Sequence, residues 1–248
     1  MCDRYVSAGD REIERFWDVG HRDAVPWHRE VAPGYMAPFL RPWRGQGLEV
    51  VVGRWGLIPR GSATRTPRSD GGLGVRLGEL LRTHSVRSAE IESIPEYRDA
   101  WRSAQRCLIP VLAFDVASSV ADAPAWWRFR AVDGKPFALA GVWSEWRDKQ
   151  TGEVVSSFAM LTARTRGRPW LGAKSGIKGD VETQPPSVGR ERGTQCVVVV
   201  EPKNFDRWLN GGAKDAAKLL RPPPSKCFAA RQLPPSRLLQ GVGARPTN

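Results

Sequence analysis

The chain has 248 residues, 41% of them hydrophobic, which is enough for one sizeable core and gives no reason to posit several domains. Lys and Arg number 38 against 26 Asp and Glu, and the resulting net charge of +12 attracts a polyanion over about 8 Å in physiological salt, so nucleic acid is the leading partner class. Arginine-rich coding bias and a solvated surface can give the same charge without any ligand.

Cys2, Cys107, Cys196 and Cys227 form no CxxC pair, and the only histidines are His21, His28 and His84, so neither a metal nor a cofactor is expected. No GxGxxG or GxxxxGK[ST] segment occurs, and Gly71-Gly72-Leu73-Gly74 lacks the lysine and the strand context. No apolar run approaches 18 residues, and charge begins at Asp3 and Arg4. The expectation is a cytoplasmic protein with reduced thiols and no membrane partner, nucleoid-associated when on DNA.

In chain order, Ile13, Phe16 and Trp17 share one helical face, giving an amphipathic helix over 9–19 that stops at Gly20. Short β-branched or aromatic runs predict strands at Glu49–Trp55, Cys107–Phe114, Phe137–Trp143, Val154–Leu161 and Cys196–Val200. Ser93-Ile94-Pro95-Glu96 has the form of a capping box and, with Tyr97 and Trp101 at helical spacing, predicts a helix over about 94–104. Pro202 opens another, with Phe205, Trp208 and Leu209 on one face, and Ala213–Leu220 follows before the Pro222-Pro223-Pro224 stop. Three stretches rich in Arg, Gly, Pro, Ser or Thr lack hydrophobic periodicity. They read as irregular insertions at about 60–83 and 163–193 and a disordered tail at 222–248, leaving one domain over 1–221.

Cys2 carries the sharpest chemical meaning. Removal of Met1 before this small residue leaves an amine and a thiol on one residue, a 1,2-aminothiol that captures an aldehyde first as an imine and then, by thiol attack, as a thiazolidine. With an amine pKa of about 7.7–8.0 and a thiol pKa of about 8.5, usable fractions of both nucleophiles are expected near neutrality. A cysteine at position two, taken without context, carries no such message.

Context is supplied by motifs in one order. Met1-Cys2-Asp3-Arg4-Tyr5-Val6 resembles the MCGRY opening of the SOS-response-associated peptidase (SRAP) family. Val31-Ala32-Pro33, Arg54-Trp55-Gly56-Leu57-Ile58-Pro59, Tyr97–Arg102 and Arg106-Cys107-Leu108-Ile109-Pro110 continue the likeness. Pro136–Trp143, Thr151-Gly152-Glu153-Val154-Val155 and Phe205-Asp206-Arg207-Trp208-Leu209 extend it over roughly two thirds of the chain. The resemblance implies an α+β, β-rich domain with a barrel-like, mostly antiparallel sheet flanked by short helices. It further implies a groove for single-stranded DNA with abasic sites as partner, autoproteolytic removal of Met1, and covalent trapping through Cys2. By position, Arg4, Trp55 and Arg87 match residues near the family's DNA groove, the arginines suited to phosphate and the indole to base stacking; a surface ion pair and a core aromatic are the plainer readings.

The pattern departs where the family does its chemistry. Ser85 stands for the asparagine of the NAR motif, and Ala89 for the acidic residue beyond its arginine, with Glu90 one step away. Val116 stands for the glutamate of the GFYEW-like motif, and Gly193 lies where the H-x-R-M-P histidine belongs. Asp115 neighbours Val116, but adjacent side chains on a strand face opposite ways, so it substitutes only through a bulge or register slip. Asp3 replaces the family glycine beside the nucleophile. A binding relic without catalysis, or a decayed product with no activity, is the alternative to an impaired crosslinking enzyme. A Cys–His protease reading has little support, since no imidazole is expected near Cys2.

Overall fold

Alternation along five long strands decides the architecture. The computed structural model describes residues 2–23, 25–43, 47–69, 76–118, 125–165 and 195–234. In β4 (Met36–Pro42), β5 (Leu48–Trp55), β7 (Arg106–Ser118), β9 (Phe137–Arg147) and β10 (Val154–Arg164), successive side chains go to opposite sides. Phe39, Val51, Cys107, Ile109, Leu139, Phe158 and Met160 join one buried cluster, and their neighbours Leu40, Val50, Leu108, Ala140, Ala159 and Leu161 join another. A sheet with two apolar faces must cover both, and here it does so by closing.

The pairing runs β9–β10–β5–β4–β7, and β7 pairs back onto β9, giving a closed five-stranded barrel. The first cluster fills its interior. The second is the outer coat, roofed by α1 (Asp10–Phe16), α2 (Pro95–Arg102), α3 (Phe205–Leu209) and α4 (Ala213–Ala217), which contribute Ile13, Tyr97, Trp101, Trp208, Leu209 and Ala216. Among the described residues only β5–β10, β2–β5 and β6–β10 are parallel, with β2 at Val19–Arg22 and β6 at Ser85–Arg87. The expected β-rich, mostly antiparallel α+β fold with short helices is the observed one.

Around the barrel lie β1 (Cys2–Ser7), which pairs with β7 and with β3 (Glu30–Val31), β8 (Ala125–Ala131), β11 (Gln195–Val197), β12 (Val199–Val200) and β13 (Phe228–Gln232). Gly141 lies where β9 is flanked by β7 and β10. A Cβ there would sit 2.8 Å from Cys107 Sγ and 3.0 Å from Ala159 O, so only glycine lets the strands meet.

Several local readings change. The capping box at Ser93 does not form: Ser93 Oγ donates to Glu90 O at 2.9 Å, Ile94 is the N-cap and Pro95 opens α2. Proline at the first helical position has its backbone angle preset and no N–H to satisfy, so the hydroxyl cap is dispensable. The first helix is shorter than 9–19, because Trp17 turns extended (φ −130°) to feed β2; the Glu12 carboxylate accepts from Gly9 N–H at its other end. β4 is absent from the sequence reading because Pro38 and Pro42 argue against a strand. They are accommodated because β4 is laddered along its length to β5 alone and meets β7 at the single pair Leu40–Leu108.

The expected disordered tail from 222 is corrected by β13, whose five residues pair antiparallel with β8. Phe228-Ala229-Ala230-Arg231-Gln232 has little strand signal of its own; its state comes from β8 and from Phe228 meeting Phe114 and Phe137 at 5.6 and 5.2 Å. Among the described residues of 60–83, an isolated bridge between Arg68 and Leu80 is the only ladder pairing. Residues 166–194 and 235–248 of the other expected irregular stretches lie outside the described residues.

Candidate nucleic-acid interface at Cys2

The first residues of β1 are set by a bulge. Cys2 is opposite Val116 and Arg4 is opposite Asp115, so β1 spends two steps where β7 spends one, and Asp3 is the extra residue. The bulge flips the strand's parity. Cys2 and Tyr5, three apart, therefore enter the same interior cluster, while Asp3 turns out to a cleft of about 340 Å³. Pro33, Gly34, Arg54, Trp55, Arg82 and His84 share its lining. Gly34 (φ +92°) and Gly56 (φ +141°) make the close turns on its wall, their N–H groups donating to Trp55 O and Phe158 O.

Cys2 is 4% exposed, and its Sγ donates to Arg4 O at 3.3 Å. Burial pushes its thiol up to about 12. The sequence expectation of appreciable thiolate near neutrality is thus corrected: at pH 7 the fraction is on the order of 10⁻⁵.

His84 is the residue that sequence reasoning missed. It precedes β6, and its carbonyl accepts from both Trp55 Nε1 (2.8 Å) and Met160 N (2.9 Å), which pins the backbone. Its ring lies edge-on to Trp55, and its Nε2 is 3.1 Å from Asp3 Oδ1. That contact holds the Asp3 carboxyl below its ordinary value. The imidazole thus meets the residue after Cys2, through a pair separated by 81 positions in the chain.

Arg4 donates through Nε to Asp115 Oδ2 at 2.9 Å and lies over the Trp126 ring at 5.1 Å. Asp115 is fully buried and receives Arg128 as well, Nε on Oδ1 at 2.8 Å and Nη2 on Oδ2 at 3.0 Å. At this point of the ladder the extra residue is in β1 and not in β7, so Asp115 keeps the face opposite Val116 and is committed to the two guanidinium groups. It does not take the glutamate's place. Val116 packs against the interior cluster directly across from Cys2.

Trp55 is 0% exposed, with Tyr5 at 4.9 Å edge-on, so the base-stacking role expected of it is closed to it; it is the cleft's floor. Arg87, on β6, is 53% exposed and pairs with Glu90 at 3.0 Å, an outward position open to a phosphate. Ser85 begins the same strand, and its carbonyl accepts from Tyr97 Oη at 3.3 Å. Gly193 lies outside the described residues; Cys196, three positions on, is buried in the cluster that holds Cys2. The structure thus gathers Cys2, Arg4 and Val116, and adds Asp3, His84 and Arg54. Arg54 donates to Gly56 O at 3.2 Å, and burial followed by the nearby Arg65 charge lowers its pKa, the signature of a cation among cations. Signals for these were present only as isolated residue types.

A larger cavity of about 1050 Å³, lined by Phe16, Trp17, Phe137, Val200, Phe205 and Phe228 among others, contains none of these residues. Among the described residues no group of His, Cys, Asp and Glu could hold a metal ion, and no helix is long and apolar enough to cross a membrane.

A search of curated proteins gives no match. Among solved structures, a protein from Bordetella bronchiseptica aligns over 94% of this chain and 100% of its own, with TM-score 0.73 and 23% identity. One from Bacteroides thetaiotaomicron aligns over 96% and 94%, with TM-score 0.69 and 18% identity. A phage-related protein from Bordetella bronchiseptica aligns over 94% of both chains, with TM-score 0.59 and 16% identity. At these identities the likeness speaks for the fold. The family described as SOS response associated peptidase (SRAP) matches residues 1–169. With well over half of the chain matched on this fold, the protein belongs to the SRAP family.

Proposed function

We propose that this protein binds single-stranded DNA and forms a covalent link to abasic sites through Cys2, once Met1 has been removed. The observation that supports the reading is the bulge at Asp3, the residue after Cys2, whose side chain lines a cleft together with Arg54, Arg82 and His84. An abasic site presents an aldehyde in its ring-opened form, flanked by phosphates. The arginines suit the phosphates, and the Cys2 amine suits the aldehyde.

The thiol's high pKa orders the steps. The amine, with an ordinary value of about 7.7–8.0, adds first and forms a carbinolamine. Loss of water gives an imine. The S–H then adds across the C=N bond, sulfur to carbon and proton to nitrogen, closing the thiazolidine. Arg87, outward on β6, extends the cationic track along the strand.

A second reading, a single-stranded-DNA binder without covalent chemistry, is favoured by one feature: the residue facing Cys2 across β7 is Val116, which can neither give nor take a proton. The two separate on a denaturing gel. Protein mixed with single-stranded DNA carrying one abasic site gives a heat-stable shifted band that Cys2→Ala abolishes. Salt-sensitive binding without that band would leave the second reading standing.

A further inference from the structure

We propose that Asp3 and His84 form the proton-transfer device for the Cys2 reaction, standing in this chain where Val116 cannot act. The inference rests on the crosslinking reading above and assigns it a residue.

Three observations converge. Asp3 is the bulge residue, so its side chain is forced out of the interior and into the cleft directly beside the reacting residue. His84 is placed from the other side by two hydrogen bonds to its own carbonyl, from Trp55 Nε1 and Met160 N, and by the edge of the Trp55 ring. The two side chains then meet at 3.1 Å. A carboxylate that holds an imidazole fixes its ring orientation and stabilises the imidazolium that forms when it takes a proton.

The charged groups around the imidazole are Asp3 from β1, Arg54 from β5 and Arg82 from the segment leading into β6.

The proton balance uses no further reagent. The neutral imidazole accepts the proton shed by the Cys2 nitrogen as it adds to the aldehyde. The imidazolium returns it to the aldehyde oxygen, giving the carbinolamine hydroxyl; a second relay carries the remaining nitrogen proton to that hydroxyl, which leaves as water as the C=N bond forms, and the S–H proton ends on the ring nitrogen of the thiazolidine. Nothing is oxidised or reduced.

The test is the rate of crosslinking to abasic single-stranded DNA as a function of pH and DNA concentration, for wild type, His84→Gln and Asp3→Asn, with melting curves for each. Glutamine keeps size and hydrogen-bonding capacity but does not titrate. His84→Gln is expected to slow crosslinking at pH 7 by about 10²-fold or more, with the loss in the rate at saturating DNA and not in the half-saturating concentration. The pH profile of the rate loses a limb in His84→Gln and is altered in Asp3→Asn, which removes the carboxylate 3.1 Å from the imidazole. Wild-type rates and an unchanged profile in folded His84→Gln would overturn this assignment and leave the crosslinking reading intact. Should His84→Gln fail to fold, an unmoved profile in Asp3→Asn overturns it equally. A wild-type protein that forms no crosslink overturns both.

Discussion

At the residue scale, the most consequential charge is Asp115. A fully buried carboxylate carries a large desolvation cost, and here two guanidinium groups offset it: Arg4 from β1 and Arg128 from β8, with side chains 12% and 8% exposed. Removing the carboxylate strands both cations. Asp115→Ala is therefore expected to cost about 3–5 kcal/mol, read as a lowered midpoint in urea with an unchanged slope. Asp3 gives a pH-dependent companion. Its folded pKa is lowered by His84, so its contribution to stability is fully present above its ordinary value near 3.8 and is lost as pH falls below that through the lowered value. Acid titration of the melting temperature should show that loss in wild type and a smaller one in Asp3→Asn. Cys2 itself could be read from the sequence, because it stands in an opening segment that resembles the MCGRY start of the SRAP family. The Asp3–His84 contact could not, since only the bulge and the turn into β6 bring residues 81 positions apart together.

At the element scale, the barrel depends on close strand approach and on buried end-capping. Gly141→Ala forces a methyl group against Cys107 Sγ and Ala159 O, and is expected to destabilise by about 1–3 kcal/mol in equilibrium unfolding. Arg106, 1% exposed, serves the carbonyls at the end of α3: it donates to Trp208 O, Leu209 O and Gly211 O. The five barrel strands that alternate apolar residues were mostly legible, since period-two patterning is local. β4 was hidden by its prolines. β1, β8 and β13 were hidden because their strand state is conferred by partners: β13 by β8, β8 by β7 and β13 together. The proline-opened helices were legible in place, and wrong only in how they are capped and where they stop.

At the scale of the whole molecule, a five-stranded barrel with its interior filled by aromatic and sulfur side chains leaves function to its rim. The bulge at one end of β1 puts Asp3 into a cleft that Arg54 and Arg82 also line, on a chain of net charge +12. Single-stranded DNA binding should accordingly weaken as salt rises, with a log–log slope near −0.7 per phosphate contacted, and Arg87→Ala should lessen that slope by about that amount. Fold and site separate cleanly here. Alternation anticipated most of the barrel strands and the family resemblance anticipated their closure, whereas around Cys2 the neighbours Asp3 and His84 were supplied by long-range pairing.

The most direct measurement is mass spectrometry of the peptides released after the folded protein has met single-stranded DNA containing one abasic site. The account predicts a single adduct, on a peptide that begins with Cys2 and lacks Met1, whose mass is that of peptide plus abasic nucleotide less one water. An adduct on a lysine, or none on a folded protein whose Met1 has been removed, would contradict it.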